Sequence, residues 1–227
     1  MAREYTRWER FQNWFYYNKL WVAVGAIILW VAGSMLWNAL GIGQIKPDYY
    51  FAYVGPVSLP EDCVNALETE LAALGQDVNG DGRVAVQLTQ YIQPDSGNVE
   101  DLRHSYATQM ALLADITEGQ SVFFLLADPQ DFQSEFQILA HPDGSVPAED
   151  DFEAADKVFC WSECPVLRAL ELGNYTDSNL DITETGENQS LLSGLFLGRR
   201  YFYDKSQEKH PAENAALWQT LIAEAAE

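Results

Sequence analysis

The chain has 227 residues, 34 acidic against 13 basic, for a formal net charge of −21. The excess lies after Lys46, where Pro47 to Glu227 holds 32 acids and 8 bases. So negative a region excludes nucleic acid, whose binders need a basic footprint, and does not lie flat on anionic lipid. Its attractions are cations, basic peptides and basic protein surfaces, and the same charge serves solubility. Periodic Val, Leu, Ile, Tyr and Phe runs predict a folded region, and its length suits one domain with a sizeable core.

Residues 1–19 read as a cytoplasmic amphipathic juxtamembrane segment. Tyr5, Trp8, Phe11, Trp14, Phe15, Tyr16 and Tyr17 crowd it, with Trp8, Phe11 and Phe15 at helical spacing and Arg7, Arg10 and Gln12 on other faces. Such rings form an aromatic belt at lipid headgroups, with a cytoplasmic docking site as the alternative. Leu20 to Leu40 follows, without an ionisable side chain or a proline. At about 1.5 Å of rise per residue it reaches roughly 30 Å, the thickness of a bilayer's hydrocarbon core. A helix satisfies its backbone polar groups internally. Arg3, Arg7, Arg10 and Lys19 precede the span and only Lys46 follows closely, which predicts a cytoplasmic amino terminus and an extracytoplasmic domain. The apolar run is longer than a signal peptide's and no clean small-x-small site follows it, so an uncleaved single-pass anchor is expected.

Trp8-Glu9-Arg10-Phe11 and Trp14-Phe15-Tyr16-Tyr17-Asn18-Lys19-Leu20 resemble the juxtamembrane pattern of uncharacterised single-pass membrane proteins of Gram-positive bacteria. In those proteins one extracytoplasmic α/β domain follows the span. The resemblance covers about the first 50 residues; it implies a location and carries no activity.

Residues 41–48 read as a short tether, and residues 49–227 as the acidic domain. Tyr49 to Val54 is a β-prone run closed by Gly55-Pro56. Pro60 opens a helix through Leu74 whose Val64, Leu67, Leu71 and Leu74 share a face. Asp77 to Gly82 is a turn-rich loop before a second strand, Val84 to Ile92. Asn98 can cap a helix with Val99, Leu102, Tyr106, Met110 and Leu113 as its buried stripe. Ser121 to Leu126 is apolar on both faces, like a central parallel strand. This alternation predicts an α/β class, a three-layer α/β/α domain around a mainly parallel open sheet. Further on, Phe136 to Ala140 reads as a strand, Glu149 to Asp156 as a solvated acidic stretch, and Leu191 to Tyr203 as a strand bent at Gly194 and Gly198. A last helix from Pro211 faces Leu217, Trp218, Leu221, Ile222 and Ala225 inward.

No nucleotide-binding glycine motif or nucleophile elbow follows these strands, and no catalytic residue is assigned. His104, His141 and His210 lack ligand spacing and read as surface residues. Two loops follow parallel strands, where open α/β sheets place ligands. They are Gly55-Pro56-Val57-Ser58, offering Ser58, and Asp128-Pro129-Gln130-Asp131, offering Asp128 and Asp131; turn chemistry also explains both. Asp77, Asn79, Asp81 and the Arg83 carbonyl occupy the first four ligand positions of an EF-hand-type calcium loop. The closing glutamate is missing, since Leu88 stands there, so calcium binding would be weak; Asn79-Gly80 and Asp81-Gly82 also suit a helix-to-strand turn. No other cofactor is expected. Cys160 and Cys164 are close enough along the chain to form a disulfide outside the cell, or else they are small core hydrophobes; Cys63 reads as a buried free thiol. These features predict a non-catalytic, membrane-tethered binding or interaction module whose partners are the bilayer and another membrane or cell-surface protein. An extracytoplasmic enzyme and an accessory subunit of a membrane complex are the alternatives. The accessory subunit would pack a partner against Gly25, Gly33 and Ser34.

Overall fold

The computed structural model describes residues 7–39, 46–94, 99–179, 182–204 and 206–225. The chain divides into two units at Ile45 and Lys46. In the first, Arg7–Ala39 is one continuous helix, α1. Among the described residues it is the one helix long and apolar enough to cross a membrane, through its stretch Arg10–Leu36. The Ser34 hydroxyl donates to the Val31 carbonyl at 2.8 Å and the Asn18 amide to that of Trp14 at 2.9 Å, so both polar side chains are satisfied by their own helix. Leu40, residues 41–45 of the expected tether, and Asn98 lie outside the described residues.

The second unit is a mixed α/β fold. Its elements are β1 (Tyr49–Gly55), α2 (Glu61–Leu74), β2 (Val86–Ile92), α3 (Val99–Glu118), β3 (Phe123–Leu126), α4 (Pro129–Phe136), β4 (Val158–Cys160), α5 (Pro165–Arg168), β5 (Asn174–Asn179), β6 (Ile182–Glu187), α6 (Asn188–Leu192), β7 (Phe196–Arg199) and α7 (Pro211–Leu221). Five strands form one mostly parallel sheet in the order β2-β1-β3-β7-β4. β1 pairs in parallel with β2 and β3, while β7 runs antiparallel to β3 and β4. β5 and β6 form a separate antiparallel pair.

Strand alternation divides the core into two clusters. Tyr49, Phe51 and Tyr53 of β1 join Phe123 and Leu125 of β3, and α2 and α7 add Leu67, Leu71, Leu217 and Trp218. The neighbouring residues Ala52, Val54, Phe124 and Leu126 form the other cluster with Leu112 of α3 and Phe132 of α4. All four residues of β3 are buried, as a central strand requires.

Three expectations change. Of the stripe assigned to the inside of α3, Tyr106, Met110 and Leu113 are exposed, while Leu112 and Asp115 are buried; the side chains of Val99 and Leu102 lie outside the described residues. Asp115 is tolerated inside because it accepts from the Tyr91 hydroxyl and from both the amide and hydroxyl of Ser121. Phe136 to Ala140 is not a strand. α4 runs to Phe136, Gln137 closes it in the left-handed region, and Leu139 makes a single bridge to Arg200. Leu191 to Tyr203 is not one strand either, since Leu191 and Leu192 belong to α6 and Leu192 is fully buried.

Candidate functional site

β1 is followed by β2 on one side of it and β3 arrives on the other, so the chain order reverses between β1 and β3. A crevice opens at the carboxyl ends of strands at such a switch point. Here it is a cleft of about 470 Å³. Val54, Gly55 and Pro56 supply one wall, Gln93 and Ala127 extend it, and Asp128, Asp131, Phe132, Ser134, Glu135 and Phe136 supply the other.

Both walls are held by local chemistry. The Ala127 amide donates to the Val54 carbonyl at 2.9 Å and that of Gln93 to Gly55 at 2.8 Å, continuing the ladders past the strand ends. The Tyr53 hydroxyl donates to the Val57 carbonyl at 2.8 Å, and a side chain at Gly55 would collide with that ring. On the far wall, Asp128 caps α4 by accepting from the Asp131 amide at 2.9 Å, with Pro129 in the first turn. Phe132 is buried, its ring centroid 5.0 Å from Phe124 and 5.1 Å from Phe136. Asp131, Ser134 and Glu135 are exposed beside this aromatic wall. Glu135 accepts from the Gln109 amide of α3 at 2.6 Å. Gln130 and Gln133 bind the backbone of the acidic loop at Phe152 and Asp151.

The structure therefore brings together Asp128, Asp131, Gly55 and Pro56, but Ser58 does not line the cleft. Glu135, Phe132 and Phe136 belong to the site and are missed by the sequence reading, which takes only Asp128 to Asp131 as a loop, leaves Phe132 to Glu135 unassigned and opens a strand at Phe136. The Asp128-Pro129 pair, a cap followed by proline at the first helical position, is the signal that marks it.

The Asp77 loop lies elsewhere, between α2 and β2. Asp77 accepts from the amides of Gly80 and Gly82, Asn79 from that of Asp81, and Asp81 from that of Arg83, at 2.7 to 2.9 Å. Gly80 and Gly82 have φ of 75° and 84°, the left-handed values the turn demands. Buried Asp48 anchors the loop by accepting from Val78, Asn79 and Ala85.

Of the two alternatives for Cys160 and Cys164, a disulfide or unbonded thiols, the structure has both thiols free. Cys164 is buried in the core, whereas Cys160 lies 3.0 Å from the Ser162 hydroxyl. Burial pushes the thiols of Cys63 and Cys164 up to about 11. Cys63 is free and fully buried, as its place on α2 predicts.

The acidic stretch holds a further cluster. The fully buried Lys157 ammonium lies 2.9 Å from a carboxylate oxygen of both Asp151 and Asp156 and also donates to the Glu153 carbonyl. His141 approaches Asp156 at 3.3 Å and Asp151 at 4.0 Å. His141, Asp151 and Asp156 are close enough to hold a metal ion, but the ammonium already supplies the positive charge between the carboxylates. Neither His141 nor Lys157 was singled out for this role in the sequence; a lone lysine after five acids was the available sign.

No family model, curated protein or solved structure matches the chain.

Proposed function

We propose that the protein is a non-catalytic binding module tethered to the cell membrane, taking a cation-bearing ligand such as a basic peptide into the cleft between β1 and β3. The observation that carries this is the cleft itself. Three exposed carboxylates, Asp128, Asp131 and Glu135, surround an aromatic wall at the switch point of the sheet. A concave, negative site concentrates cations and offers their methylene stems apolar contact. The two core clusters on alternate strand residues support a three-layer domain with helices on both faces of the sheet. Helix α1 supports anchoring in the bilayer, and the charge order of the sequence supports a cytoplasmic amino terminus with the acidic domain outside. The juxtamembrane pattern supports a place among single-pass proteins of Gram-positive bacteria. For the Asp77 loop we propose weak calcium binding, at the millimolar affinity of extracellular modules.

The test is calorimetric titration of the detergent-solubilised full chain with hexalysine, with hexaglutamate as the control. Saturable binding of hexalysine alone is expected, weakened about tenfold, or some 1.4 kcal/mol, in the Asp131→Asn, Glu135→Gln double variant. Equal binding by the double variant assigns the heat to the acidic surface at large and removes the cleft from the reading.

A further inference from the structure

The outward face of α3 departs from the rest of the domain. From Ser105 to Ala114 the helix carries no charged residue in a chain where 21% are charged, and the next charge, Asp115, points inward. Tyr106, Met110 and Leu113 are exposed by 67, 59 and 44%. Their spacing of four and three residues puts them on one ridge. Ala107, Ala111 and Ala114, all exposed, line the groove beside it. A helix carrying a ridge of large side chains next to a groove of small ones is complementary to a reversed copy of itself.

We propose that two copies of this chain pair through α3, antiparallel about a two-fold axis at Met110. That axis sets Tyr106 of one copy opposite Ala114 of the other, Leu113 opposite Ala107, and Met110 opposite Met110, so large meets small on both sides of the centre. Charge selects the occupant. A basic partner is drawn to the acidic surfaces, whereas two strongly negative domains can meet only where no carboxylate is buried between them. Three large and three small side chains per copy make a small interface, short of the ~1,000 Å² that a specific pair needs in free solution. Confinement in the membrane, which rests on the anchoring reading above, raises the effective concentration and makes a small interface sufficient.

Cysteine cross-linking of the full chain in the membranes of its expression host tests this, in a Cys160→Ser background. Met110→Cys is expected to give a disulfide-linked dimer at least about tenfold above Thr69→Cys, an exposed position on α2 that reports collision alone. Tyr106→Cys and Ala114→Cys, each poorly self-linking, are expected to link to one another when co-expressed. Ala111→Glu should abolish the Met110→Cys dimer. The proposal is overturned if Met110→Cys links no better than Thr69→Cys, if it links to a protein of another mass, or if Tyr106→Cys links efficiently to itself, the sign of a parallel pair. Recovery of the chain in the soluble fraction would refute the anchoring reading separately, and the same cross-links scored there still decide for or against the α3 pair.

Discussion

Lys157 shows how one side chain turns an acidic stretch into structure. Its hydrogen bond, more than its charge, holds the Asp151 carboxyl below the ordinary carboxylate range. Burial pulls Lys157 down, yet the bonds to Asp156 and Asp151 leave it above its usual 10.5. The two signs bracket a pH window. Stability from the lowered Asp151 is present above the ordinary carboxylate pKa and is lost as acid takes the pH down through its folded value. Stability from the raised Lys157 is present below 10.5 and is lost as the pH rises through its folded value. Lys157→Met is expected to cost about 2 kcal/mol at pH 7, less than a fully buried pair because both carboxylates keep contact with water. Denaturant melts of the two proteins should keep their difference down to the ordinary carboxylate range and converge as the pH falls through the folded value of Asp151. A difference that stays constant with pH would mean that the lysine contributes packing alone. The thiols make a second test at this scale. Unfolding without reductant should release three reactive thiols, and the native protein should react quickly at one, Cys160, because burial holds Cys63 and Cys164 up at about 11. One thiol after unfolding would mean that Cys160 and Cys164 are joined.

Between elements, legibility depended on how many faces a segment buries. β1, α2, β2 and β3 were readable, since β3 is buried on both sides and α2 carries a single apolar stripe with Leu67 and Leu71 inside. α3 carries two stripes, and periodicity alone cannot rank them. The true inner one contains Asp115, which counts against burial until Tyr91 and Ser121 are seen to satisfy it. The candidate cleft was half legible: topology pointed to the loops after β1 and β3, while Ser58 turned out to lie off the cleft and α4 went unread. In the Asp77 loop the sequence and the structure agree on the turn, and calcium is a separate question. Asp77→Ala removes the acceptor of two backbone amides and should lower stability by about 2 kcal/mol with or without calcium. Titration of the full chain with millimolar calcium should then give a saturable heat that both Asp77→Ala and Asp81→Ala abolish. Heat unchanged in either variant belongs to the general acidic surface.

At the scale of the whole molecule the proposed arrangement involves two charge asymmetries with separate roles. Four basic residues stand before the apolar run, and 32 of the 34 acids come after Lys46. Basic residues flanking a span are retained on the cytoplasmic side, whereas acidic residues contribute little to orientation and long domains translocate largely regardless of charge. The proposed direction therefore rests on Arg3, Arg7, Arg10 and Lys19, with the acidic domain carried outward behind the helix. In that proposed placement its charge would hold it off anionic headgroups and leave the switch-point cleft free for the proposed cationic ligand. Protease added to intact cells is accordingly expected to degrade the domain and leave a membrane-embedded fragment ending near residue 45, the boundary between the two units. Protection of the domain until the membrane is broken would reverse the orientation. Replacing Arg3, Arg7, Arg10 and Lys19 with glutamine removes the retained charge and should make a substantial fraction of the chains resist the protease, because Lys46 is then the nearest cation and lies on the other side of the span.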